Sequence, residues 1–172
     1  RLSELLLVRA IAEDFGVVLK TRDKKEWFDG LNRFLLGEFH KGFNSVLIID
    51  EAQDLTPKTL EQVRLLSNLE TASEKLIQIV LVGQPELRDT LDDPTLAQLR
   101  QRISIRFHLT SLDRKETEEY ILHRLHVAGI PDGLNPFLPT AIDIIYERSQ
   151  GVPRLINKLC DRALLAAYAR DS

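Results

Sequence analysis

The chain contains no methionine, a single cysteine, and no apolar run of the about 20 residues that a helical membrane span requires. Each absence closes off a class. One cysteine, Cys160, excludes an intrachain disulfide, so stability must come from a packed core and a reducing compartment is expected. Its place among Leu159 and Leu164 in helical spacing reads as a buried, inert thiol. The N-terminus lacks a signal-peptide layout. With no methionine and an opening at Arg1 inside a helical apolar pattern, the sequence leads us to expect a piece of a longer protein. Net charge is nearly absent: 23 Lys and Arg stand against 26 Asp and Glu, a formal −3. No whole-chain attraction to nucleic acid follows, although a local basic patch stays open. His123 and His126 could share a helix face, but no third ligand is near them in sequence, which argues against a metal site. No Ser/His/Asp or Cys/His order marks a hydrolase. The most telling lack is a glycine-rich phosphate loop: no G-x-x-x-x-G-K-[ST] occurs anywhere in the 172 residues.

What is present is a regular alternation of helix and strand patterns, with 44% hydrophobic residues available for a core. Leu6, Leu7, Ala10, Ile11 and Phe15 recur at helical spacing between an N-capping Ser3 and Gly16. A second helix starts at Asp23, where Glu26 gives a loose capping box, and carries Trp27, Leu31 and Leu35. Val46 to Ile49 and Ile77 to Val82 are continuous apolar runs, which predict strands of a parallel sheet covered on both faces. Thr56-Pro57 predicts a helix start between them. Helices are expected at Glu86 to Leu91 and Pro94 to Arg102. Ile103, Ile105, Phe107 and Leu109 then alternate as a third strand. Beyond a boundary near Ser111 only helices are expected: one capped by Asp113 and Glu116, then, after a loop over 129–139, two more starting at Pro139 and Pro153. The fold class is α/β, a parallel sheet with flanking helices over 1–110, followed by an all-helical part over 111–172.

Four motifs carry candidate chemistry. The run Val46-Leu47-Ile48-Ile49-Asp50-Glu51 reads as a Walker B motif, an apolar strand delivering two carboxylates to a sheet edge. There Asp50 could hold Mg²⁺ and Glu51 could orient or deprotonate water. Acids after a strand also cap turns. Gln84 ends the next strand and should approach the same edge as Asp50, because parallel strands present their carboxyl ends together. Arg100 and Arg102 precede the third expected strand; arginine's planar fork suits phosphate, and a solvated helix end suits arginine equally well. Arg154 falls in the first turn of the last helix, where positive charge opposes the macrodipole and calls for an anionic partner.

Taken together, VLIIDEAQDL, LVGQPEL, LRQRI and GVPRLINKLCDRALLAAY resemble AAA+ ATPases of the general secretion pathway protein A (ExeA-like) family over nearly the whole chain. The resemblance implies a partial P-loop NTPase core and a helical lid that hydrolyse ATP, with Mg²⁺, in an oligomer. By position, Asp50 looks like the metal-associated acid and Glu51 the water-activating one. Gln84 resembles sensor 1, and Arg102, ahead of Arg100, the finger that completes a neighbour's site. Arg154 resembles sensor 2, reaching from the lid to phosphate. Implied partners are further copies across a nucleotide-bridged interface and inner-membrane or secretin-assembly components of type II secretion. The implied place is a cytoplasmic module whose parent could be anchored at the bacterial inner membrane. Family members carry a strand, the Walker A loop and another strand before the helix at Ser3. The 172 residues alone are therefore expected to bind ATP weakly and to expose apolar strand faces and edges. Two other readings stay open: a DNA-associated AAA+ ATPase of the transposition-helper or initiator-loader type, and a nucleotide-independent scaffold whose acids and arginines form ion pairs.

Overall fold

The computed structural model describes residues 3–131 and 133–171. Arg1 and Leu2 at one end, Ser172 at the other, and Asp132 in the loop over 129–139 lie outside the described residues. The chain divides into two compact units, the first ending at Arg106 and the second beginning at Phe107.

The first unit starts with α1 (Glu4–Asp14) and α2 (Lys24–His40). Ser3 Oγ accepts the Leu6 N–H, as its N-cap position predicts. At the other end, Gly16 at φ +82° lets Gly16 and Val17 donate back to Glu13 and Ala12, a Schellman closure. The box expected at Asp23 closes only on one side. Asp23 caps Lys25, but its own N–H goes to Thr21 Oγ1 rather than to Glu26.

Two five-residue strands follow, β1 (Ser45–Ile49) and β2 (Ile77–Leu81), parallel and joined through α3 (Pro57–Leu66). The register pairs Ser45 with Ile77, Leu47 with Ile79 and Ile49 with Leu81 on one face. That face is covered. Leu47 and Ile77 pack with Leu7, Val8 and Ile11 of α1, Trp27, Leu31 and Leu35 of α2, and Val63 and Leu66 of α3. Lys24, Glu4 and Gln62 form a hydrogen-bonded trio that ties the three helices together. The last elements, α4 (Glu86–Leu91) and α5 (Ala97–Arg102), build a smaller core of Leu87, Leu91, Leu96 and Leu99 around Ala52 and Leu60.

Two expectations are corrected. Among the described residues the sheet is covered on one face only: Val46, Ile48, Val80 and Val82 on the other are 47, 65, 44 and 44% exposed. Every helix of the main core lies on the Leu47 side, so apolar residues on both faces do not by themselves bring cover to both. The third strand does not form. Residues 103–113 have no regular structure, and Ile105, Phe107 and Leu109 are 85, 85 and 82% exposed. Alternation makes a segment fit for a sheet, but a strand exists only through ladder bonds, and no strand edge among the described residues pairs with this one.

The second unit is all-helical: α6 (Arg114–Val127), α7 (Pro139–Ser149) and α8 (Pro153–Asp171). Here the capping box is complete, with Asp113 bonded to the Glu116 N–H and Glu116 to the Asp113 N–H. Ile121, Phe137, Ile142, Ile145 and Ile156 form the core, and Tyr120 with Asn157 links α6 to α8. Gly151 is fixed twice over: its φ is +70°, and a Cβ there would stand 1.8 Å from the Leu112 carbonyl oxygen. The α7–α8 turn thus lies directly on the backbone that enters α6, held by Leu112 N–H to Gly151 O at 3.0 Å.

The packing of each unit sets an expected stability change. Leu31 is 0% exposed, and Leu31→Ala should cost about 2 to 5 kcal/mol. The only tryptophan, Trp27, belongs to the same core, so its fluorescence in a denaturant titration reads the loss directly. In the second unit, Thr117 Oγ1 is buried without a hydrogen-bond partner among the described residues. Thr117→Val removes that unsatisfied hydroxyl at nearly constant shape and should raise stability by about 1 kcal/mol, seen as protection of α6 amides in hydrogen exchange.

Candidate active site

The parallel pairing brings the ends of β1 and β2 to one edge, and the ladder runs on past the strands. Val82 N–H donates to Ile49 O and Ala52 N–H to Val82 O, both at 2.9 Å. The chain must therefore turn at Asp50 and Glu51 while staying bonded to the Val82-Gly83 segment. The turn is made by Glu51, which takes the left-handed conformation at φ 52°, ψ 37°, at a cost of about 1 kcal/mol for a residue with a side chain. Asp50 Oδ1 accepts the Glu51 N–H at 2.8 Å, so the first acid steadies the backbone of the second.

Asp50, Glu51 and Gln84 meet at this edge, as the sequence predicts, and all three are solvent-exposed. Gln84 Nε2 donates to Glu51 Oε2 at 3.3 Å. A fourth side chain, absent from the sequence-based candidates, joins them. Gln53 Nε2 donates to the same Glu51 oxygen at 2.7 Å, and Gln53 Oε1 accepts the Gln84 backbone N–H at 3.0 Å. Its signal in the sequence was only an amide two places beyond the acid pair, which nothing in spacing distinguishes from a turn residue.

The arginines separate by what they already bind. Arg100 donates to the carbonyl oxygens of Leu91 and Asp92 at 3.4 and 3.1 Å, closing the end of α4. Arg106 lies 3.9 Å from the Asp92 carboxylate. Arg102 is exposed and makes no hydrogen bond or ion pair among the described residues. Its charge registers only weakly on Glu70, whose carboxyl is held below its ordinary range chiefly by the bonded Lys75. Neither Arg100 nor Arg102 bonds to Asp50 or Glu51. In the second unit, Arg154 is exposed in the first turn of α8. Among the described residues no carboxylate pairs with it, so the anionic partner expected from the sequence is not a side chain described here.

Residues 3–91 match the family described as AAA domain. The chain belongs to the AAA domain family. It is similar to general secretion pathway protein A of Aeromonas hydrophila, 46% identical over a match of 172 positions that covers 99% of this chain and 31% of that protein. The chain thus spans about a third of the length of the curated relative it matches. No solved structure matches it.

An AAA domain implies nucleotide binding, and a nucleotide commonly brings a magnesium ion with it. Asp50 suits the metal: Oδ2 accepts no bond among the described residues, and Mg²⁺ is commonly held by one or two carboxylates while water and phosphate oxygens complete the shell. No group of three or more His, Cys, Asp or Glu converges among the described residues, and Asp50, with Glu51 beside it, is the carboxylate these residues would offer such an ion. Phosphate cradling of the G-x-x-x-x-G-K-[ST] kind is not offered by these 172 residues.

The single cysteine, Cys160 on α8, packs against the second core. Burial pushes its thiol up from the ordinary value, and the Asp161 carboxylate adds to the effect. The thiolate fraction near neutral pH is correspondingly small. Iodoacetamide at neutral pH should therefore alkylate Cys160 more slowly than a cysteine in a short peptide, with the difference abolished in urea. Equal rates in the folded protein would show the thiol to be as accessible and as acidic as a free one.

Proposed function

We propose that this AAA domain takes part in ATP hydrolysis, to ADP and phosphate, within a bacterial secretion-pathway ATPase. The observation that carries the reading is the convergence of Glu51 and Gln84 on one sheet edge, 3.3 Å apart, beside Asp50. The family match and the name of the Aeromonas relative support it.

In this reading Asp50 would hold Mg²⁺, which supplies charge neutralisation at the phosphates. Glu51 orients the attacking water and accepts its proton. Both amide donors fall on Oε2, so Oε1 is left open for that water. Gln84 reports the γ-phosphate to the acid through the bond they share. Arg102, free of the contacts that occupy Arg100, is the better finger toward a neighbouring copy. Arg154 gives the lid an uncommitted cation for phosphate, which would couple lid position to nucleotide state. The module would work as an oligomer on the cytoplasmic side of the inner membrane, serving secretin assembly or placement in type II secretion.

The test is Glu51→Gln in the full-length protein. ATP binding should persist while hydrolysis falls at least tenfold, a general base typically contributing about 10² to 10⁴ in rate. Unchanged turnover would remove Glu51 from the reaction. DNA-stimulated turnover with a steep salt dependence would redirect the reading to a DNA-associated AAA ATPase.

A further inference from the structure

Gln53 sits in the short turn Ala52–Asp54, half-buried between the two segments that form the edge. Both ends of its amide are committed, and their direction is forced. A backbone N–H can only donate, so the Gln84 amide must face Gln53 Oε1, at 3.0 Å. That leaves Nε2 toward Glu51, where it donates at 2.7 Å. The Gln84 side chain returns to the same carboxylate oxygen at 3.3 Å and closes a ring of three side chains. Gly83 confirms how tightly the segments lie: a Cβ there would stand 2.8 Å from Gln53 Oε1 and 3.2 Å from the Gln53 backbone nitrogen.

A single side chain therefore joins the Glu51 carboxylate to the Gln84 backbone N–H, independently of the Gln84 side chain. Were Gln53 absent, the acid would keep one longer bond, from Gln84 Nε2, and the backbone at Gly83-Gln84 would lose its own bond to the Walker B segment beyond Val82. We propose that Gln53 is a positioning residue, holding the Glu51 carboxylate and the Gln84 turn as one unit so that the water-orienting acid and the phosphate-sensing amide move together. The proposal rests on the ATPase reading of this site.

Two variants separate the ends of the amide. Gln53→Glu can still accept the Gln84 N–H but cannot donate to Glu51, and it sets a second carboxylate against the first. Gln53→Ala loses both bonds. In the full-length protein, kcat should fall about tenfold or more in either variant, since a displacement near 1 Å can cost about a hundredfold. KM for ATP should stay within about twofold, because neither variant touches Asp50 or the arginines. The Gln84 amide should exchange hydrogen about tenfold faster in Gln53→Ala and stay near wild type in Gln53→Glu. A merely structural role predicts the reverse for Gln53→Glu, with kcat intact wherever the amide is protected. Wild-type kcat in both variants of a protein that hydrolyses ATP would overturn the proposal and leave the ATPase reading standing. A wild-type protein with no ATP turnover would overturn both the ATPase reading and the positioning role, while fast Gln84 exchange in Gln53→Ala would still show that the contact exists.

Discussion

The first unit depends on the parallel pairing of β1 with β2. Five residue pairs fix the register, and two further backbone bonds at 2.9 Å carry it into the turns at Asp50 and Val82. Everything chemical in this unit hangs on that register. A slip by one residue would turn Leu47 and Ile49, or Ile79 and Leu81, out of the helical core and bring Val46, Ile48 or Val80 in. It would also part Glu51 from Gln84. Core packing and site assembly are thus selected by the same alignment, and the left-handed backbone at Glu51 is tolerated because both neighbours of that turn are already bonded.

The unit's core is one-sided. Helices α1, α2 and α3 bury the Leu47 face, while the Val46 and Ile48 face and the segment from Ile105 to Leu109 stay open. This matches the apolar exposure that the sequence implied, and such surface is more than scattered single residues would give. The arginines show a similar division of labour on a smaller scale. Arg100 is spent on the carbonyl groups that end α4, and Arg102, two places on, is left uncommitted.

The second unit solves a different problem, entering and leaving a three-helix core with little chain. Its capping box sets where α6 begins. Its Gly151 turn lies so close to Leu112 that only hydrogen fits. The Gly-Val-Pro-Arg segment therefore has a packing reason for its glycine and a helix-start reason for its proline. Neither reason explains the arginine, which is why Arg154 retains a functional reading.

Local chemistry was legible in the sequence. Ser3, Thr56 and Asp113 mark helix starts with side-chain bonds spanning three residues, the Gly16 closure needs only its own turn, and Asp50, Glu51 and Gln84 follow from where apolar runs end. The AAA resemblance was readable for the same reason, since its motifs are contiguous. What required the tertiary structure was every property set by a partner distant in sequence. Ile103 to Leu109 alternates like a strand yet finds no edge to bond among the described residues. Val46 and Ile48 look like core and are open because no described element lies over them. Gln53 looks like a turn residue until Gln84, 31 positions on, is brought to its amide. A sequence carries its propensities residue by residue, whereas ladder bonds, burial and the closing of a polar ring exist only between segments that the fold has brought together.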